Sequence, residues 1–221
     1  MSVGGGEDVR DRAISFRAWK ASDVPSVARL HREGLRGSFL PELGIRFLET
    51  MYELLWATPE VFGFVAEEEG SVAGFICCTV SRKATDRTLR RRKILLLGKA
   101  LPALLRRPAR IVRLLSGGGY AKKPHKTEAE LLAVVVRDEK RSRGIGRGLL
   151  QLSREEFRRR EVDDYCVVVA EENIRAVRFY EKNGLVRQAV VEVFGRPMVE
   201  LYERLGEGSG PEKEERETRD A

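Results

Sequence analysis

Apolar positions along this chain alternate between a period of two and a period near 3.6, and the switches lay out its elements. Ile14 to Trp19 (ISFRAW) alternates apolar and polar residues as a half-buried strand does. Ser22 then reads as a helix N-cap, with Pro25 tolerated in the first turn and Val24, Val27, Ala28, His31 and Leu35 sharing a face. His31 lies on that stripe and reads as a packed histidine. The loop Gly37 to Gly44 leads to a second helix, with Ile45, Leu48, Met51, Tyr52 and Leu55 apolar and Thr58-Pro59 ending it. Val61 to Ala66 and Val72 to Val80 read as strands joined by a tight turn over Glu67 to Ser71. Leu131 to Val136 is a β-branched run typical of a buried strand, and helical spacing follows at Ile145, Leu149 and Leu152. Tyr165 to Ala170 (YCVVVA) is another buried strand. Asn173 caps a helix over Ile174 to Lys182, which Asn183-Gly184 ends. Val186 to Phe194 and Met198 to Tyr202 meet at Gly195-Arg196-Pro197 as a hairpin. The order is β-α-α-β-β, a break, then β-α-β-α-β-β, an α/β (α+β) domain.

The break, residues 81–127, changes the picture through its charge. It holds fifteen Lys/Arg against Asp86 alone, whereas the whole chain carries a net +7, so the basicity is local. Within it Ile94 to Leu97, Leu101, Leu104, Leu105, Ile111, Val112, Leu114 and Leu115 are spaced like an amphipathic helix or helical pair. Pro102 and Pro108 interrupt that spacing and Gly117 to Gly119 forms a flexible exit. Residues 1–12 read as a flexible leader, 13–205 as one domain containing the insertion, and 206–221 as a charged, disordered tail. Three cysteines, two of them adjacent, and two distant histidines offer neither a disulfide nor a metal set. With no signal-peptide core and no apolar run of roughly 20 residues, the expectation is a cytoplasmic protein.

The densest chemistry follows the Leu131–Val136 strand. Arg141, Ser142, Arg143, Gly144, Ile145, Gly146, Arg147 and Gly148 make a basic, glycine-punctuated turn into a helix. Glycines let backbone N–H groups approach an anion, the helix dipole favours negative charge there, and the arginines add phosphate-type donors. The pattern matches neither a dinucleotide fingerprint nor a Walker sequence.

Arg141-x-x-Gly144-x-Gly146 after a strand resembles the acetyl-CoA pyrophosphate loop of the GNAT superfamily of N-acetyltransferases. Asn173-x-x-Ala176-x-x-Phe179-Tyr180-Glu181-Lys182-x-Gly184-Leu185 is similar to that family's second signature, and the element order agrees over most of residues 13–204. The resemblance implies a mixed sheet of about seven strands flanked by helices and direct acetyl transfer from acetyl-CoA to an amine, with no metal. Backbone groups of Val134, Val135 and Val136 would dock the pantetheine arm where two strands splay. The loop from Arg141 to Gly148 would hold the pyrophosphate, Asn173 would cap the following helix and join the cofactor-binding set, and Tyr180 would protonate the departing thiolate. Asp138 stands where the family often has proline, which alters only the turn. A base is also needed, since only a neutral amine attacks. Glu130, heading the central strand on the face of Leu132 and Val134, is the candidate, with Glu128, Glu171 and Glu172 as rivals. The competing reading is a non-catalytic acyl-CoA-binding or membrane-docking module of the same fold.

The basic insertion points toward the acceptor, and three readings stand. It is a solvated lid, a membrane-surface helix set on anionic lipid through residues 82–126, or a cradle for an anionic acceptor. Nucleic acid is disfavoured, because Tyr120 is the one aromatic among these charges.

Overall fold

The computed structural model describes residues 14–106, 127–193 and 196–206. Seven strands form one sheet: β1 Ser15–Ala18, β2 Val61–Glu68, β3 Ser71–Thr79, β4 Glu130–Val136, β5 Asp164–Ala170, β6 Val186–Val193 and β7 Arg196–Arg204. Their spatial order is β1-β2-β3-β4-β5-β7-β6. Every neighbouring pair is antiparallel except β4 and β5. That pair is joined by a helical crossover rather than a turn, which is what a parallel pair requires.

Helices α1 (Val24–Gly34), α2 (Ile45–Trp56), α3 (Arg82–Arg91) and α4 (Lys93–Arg106) precede β4; α5 (Ile145–Arg159) and α6 (Ile174–Lys182) follow it. Two cores result. One packs α1, α2 and α4 on one sheet face, and the other packs α5 and α6 on the opposite face. Strand alternation divides even adjacent residues between them: Cys77 joins the first core and Cys78 the second, both as buried free thiols. His31 is buried in the first, its Nδ1 2.6 Å from the Tyr52 hydroxyl.

Several boundaries differ from the periodicity. The β2–β3 turn contracts to Glu69 and Gly70, whose φ values of 52° and 74° fit a two-residue type I′ turn, so pairing runs on to Glu68 and Ser71. The helix cap expected at Ser22 falls at Asp23, after a 3-10 turn over Ala21–Asp23. The reason lies in the Asp23 carboxylate, which accepts from the Lys20 N–H at 2.7 Å and from Arg17 at 2.7 and 2.9 Å. Pro102 does not interrupt its helix. α4 runs through it, with Leu96, Ala100 and Leu104 anchored in the first core, and the turn its ring must clear carries only Gly98. β7 is longer than Met198–Tyr202 because both its edges are paired, to β5 and to β6. Pro108, Gly117 to Gly119 and the rest of 107–126, the leader, and residues 207–221 of the tail lie outside the described residues.

One irregularity positions everything that follows. Cys77 pairs with Ala133 and Cys78 with Leu131, which leaves Leu132 as an extra residue on β4, a β-bulge. The bulge resets the alternation. Leu132 packs on the first core and Val134 on the second, so the face expected to carry Glu130, Leu132 and Val134 together is divided.

Candidate active site

β4 and β5 pair only at Glu130–Cys166 and Leu131–Val167, and beyond the bulge they part. The result is a wedge-shaped gap in the middle of the sheet. Arg137 donates its N–H to Ala73 O at 2.8 Å. By the alternation of an antiparallel ladder, Val135 and Ala133 also turn their backbone groups to β3. Val134 and Val136 therefore turn theirs into the gap. Val135 contributes packing instead, lying so close to α1 that a Cβ on Gly34 would fall 2.3 Å from its Cγ1.

The wide end of the gap is the turn into α5. Ser142 (φ 63°) and Gly144 (φ 78°) are both left-handed. Gly144 is the N-cap and has no side chain to satisfy the first turn; the first helical bond runs from the Gly148 N–H to Gly144 O at 2.9 Å. The N–H groups of Ile145, Gly146 and Arg147 thus point out of the helix end as an anion cradle. A Cβ on Gly146 would meet the Phe179 ring at 3.3 Å, so glycine there lets α6 close over the cradle. Gly148 serves packing: a Cβ would fall 2.6 Å from the Phe16 ring, and its N–H is already committed. The Ile145 side chain is core.

The loop's cations are engaged in shaping it. Arg141 donates to Val136 O at 3.2 Å and pairs with Asp138. Lys140 and Arg143 both grip Glu68, at 2.5 and 2.6 Å. The two cations, Lys140 first, hold the Glu68 carboxyl below its usual range. Glu68 is a residue the sequence pattern had placed in a turn, and nothing local revealed this partnership. Ser142 and Arg147 remain exposed at the rim.

Asn173 caps α6, its Oδ1 accepting from the Ala176 N–H at 3.1 Å. This sets Tyr180, which is 3 % exposed, in the second core. Burial pushes its phenol well above the ordinary value, and Cys78 adds to the shift. Tyr180 stacks edge-on against Phe179, ring centroids 5.2 Å apart, and Phe179 in turn lies over Gly146 at the wide end of the gap.

The opposite sheet face carries the carboxylates. Glu130 is 1 % exposed, its Oε2 3.7 Å from an Arg82 guanidinium nitrogen on α3. Glu128 pairs with Lys83 at 2.7 Å. Glu171 and Glu172 are exposed beyond the end of β5, and Glu172 meets Arg196 at 2.8 Å. Arg196 also donates to Gly37 O, tying the Gly37–Gly44 loop to the β6–β7 hairpin. Sequence reasoning missed Glu200, 6 % exposed and opposite Val168, where β5 has already left β4. Its neighbours Val199 and Leu201 fill the second core, so Glu200 faces the first. That a lone carboxylate alternates with two core residues was the available signal. Glu130 and Glu200 both act on the thiol of Cys166, which burial already pushes up.

The model of the acetyltransferase (GNAT) family matches residues 28–185, most of the chain. This chain is a GNAT acetyltransferase family member. Solved structures agree in fold. A GNAT-family protein from Desulfovibrio desulfuricans aligns with TM-score 0.59 and 18% identity, over 88% of this chain and 100% of its own. The protein yncA from Salmonella typhimurium, solved with its cofactor acetyl-CoA, gives 0.57 and 15%, over 91% and 99%. The PaiA N-acetyltransferase from Thermoplasma acidophilum, in complex with coenzyme A, gives 0.58 and 16%, over 87% and 99%. No curated protein matches this chain by sequence. The seven-stranded GNAT sheet expected from the signatures is thus observed. Among the described residues no group of three or more His, Cys, Asp and Glu is placed to hold a metal, and no helix is long and apolar enough to cross a membrane.

Proposed function

We propose that this GNAT protein transfers an acetyl group from acetyl-CoA directly to a primary amine, with both substrates in the gap between β4 and β5. The observation that carries the reading is the parting of those strands after Leu131 and Val167, with uncapped α5 amides at the wide end. The residues fit the donor. The Ile145, Gly146 and Arg147 amides would take the diphosphate, flanked by Arg141, Ser142 and Arg143, and the bare Gly146 leaves the cradle open beneath Phe179. Val134 and Val136 would receive the pantetheine amides as a missing strand would be received.

Bound acetyl-CoA supplies an acetyl carbon activated as a thioester. On this chain's side, the Tyr180 phenol, protonated at neutral pH as tyrosines are, gives its proton to the sulfur as the C–S bond breaks. An amine arrives protonated and loses a first proton before its nitrogen bonds the acetyl carbon; the second proton, released from nitrogen as the amide forms, restores the Tyr180 phenol. Glu130 on β4 and Glu200 on β7 are buried carboxylates on the face opposite α5 and α6, and they are the groups to receive the first proton. Arg82 lies 3.7 Å from Glu130 Oε2, and Glu200 stands beside the opened part of β5.

Calorimetric titration with acetyl-CoA, followed by an amine panel read by mass, tests the reading. Tyr180→Phe should lower kcat by roughly 10- to 100-fold with coenzyme A affinity unchanged. Saturable coenzyme A binding without acetylation of any amine would favour a binding module. No saturable binding at millimolar ligand would end the assignment.

A further inference from the structure

We infer that α3 and α4 form a docking surface for an anionic lipid bilayer, an inference that stands apart from the catalytic proposal. An ordinary surface helix presents one apolar stripe and buries it. α4 has two. Leu96, Ala100 and Leu104 are buried against α2, while Ile94, Leu97, Leu101 and Leu105 form a second line that faces out. Ile94 is 80 % exposed, Leu101 51 % and Leu105 70 %. Of the large apolar side chains that the described fold leaves exposed, half lie on this single helix. Such concentration marks an interaction surface rather than scattered surface leucines.

Charge identifies the occupant. Residues 82–106 carry nine Lys/Arg and one acid, Asp86. On α3, Lys83, Arg87, Arg90 and Arg91 line one open groove, while Thr85 and Leu89 turn inward. Asp86 neutralises Arg90 and Glu128 neutralises Lys83, and the surplus stays positive. Surplus cations on the same helical pair as an outward leucine line suit a headgroup layer, where the side chains would enter the acyl boundary and the charges meet lipid phosphates. A second copy of this chain would bring equally basic surfaces together, and a nucleic acid would leave the leucines in water.

The test is co-sedimentation of the full chain with vesicles of phosphatidylcholine alone or containing phosphatidylglycerol, at low and high salt. Binding is expected to the anionic vesicles only, and to fall steeply with salt. Leu101→Glu with Leu105→Glu should reduce partitioning by at least roughly tenfold, and Arg87→Glu with Arg91→Glu by a similar factor. These positions are exposed, so thermal unfolding should be unchanged. No binding at low salt overturns the inference. So does binding that neither pair alters, or a dimer in sedimentation velocity that Leu101→Glu with Leu105→Glu dissolves, or retention by RNA without retention by vesicles. Acetylation of soluble amines is read separately, so loss of either property leaves the other measurable.

Discussion

Gly144 offers the sharpest test of how the anion cradle is made. Its φ of 78° lies where an L side chain is strained, yet a Cβ built there has no atom within 4 Å. Alanine at this position therefore costs conformational energy alone, about 1–2 kcal/mol. If the turn stays left-handed, the whole cost appears as lost stability. If it relaxes, coenzyme A must restore the geometry, and its Kd rises by up to roughly 5- to 30-fold. Chemical denaturation and calorimetry on Gly144→Ala should together recover about 1–2 kcal/mol, however it divides. Asparagine tolerates the left-handed region better, so Gly144→Asn should regain most of the loss. Gly144→Ala with unchanged stability and affinity would refute the reasoning. Asparagine behaving as badly as alanine would show that side-chain bulk, not backbone conformation, is what the site excludes.

Two other outcomes follow from burial. Desolvation lowers the His31 pKa to about 4, while the unfolded histidine titrates near 6.5. Below pH 6.5 the unfolded chain binds a proton that the native state refuses, so this residue makes stability fall as pH drops from about 6.5 toward 4, by up to roughly 3 kcal/mol. Denaturation across that window should be about one proton flatter in His31→Gln. Cys77, Cys78 and Cys166 are buried with their thiols pushed up by desolvation, so a thiol reagent should modify native protein slowly and all three at once on unfolding.

Local chemistry sufficed wherever a residue's role depends on near neighbours in the chain. The Asn173 cap, the Gly144 turn, the α1 and α2 stripes and the division of Cys77 from Cys78 all rest on periodicity or on backbone preferences carried by a few adjacent residues. The order of elements and the two GNAT signatures were legible for the same reason. Tertiary structure alone decided the rest, because those features depend on residues distant in sequence. The Leu132 bulge exists only in the register of β4 against β3, and it removes Val134 from the face of Glu130. Glu68 meets Lys140 and Arg143 across some seventy residues of chain. Glu200 gains its place because β5 leaves β4 at the position it faces, and the second leucine line of α4 stands out only once α2 has covered the first. Periodicity records how many apolar positions a helix has; only packing determines which of them stay in water.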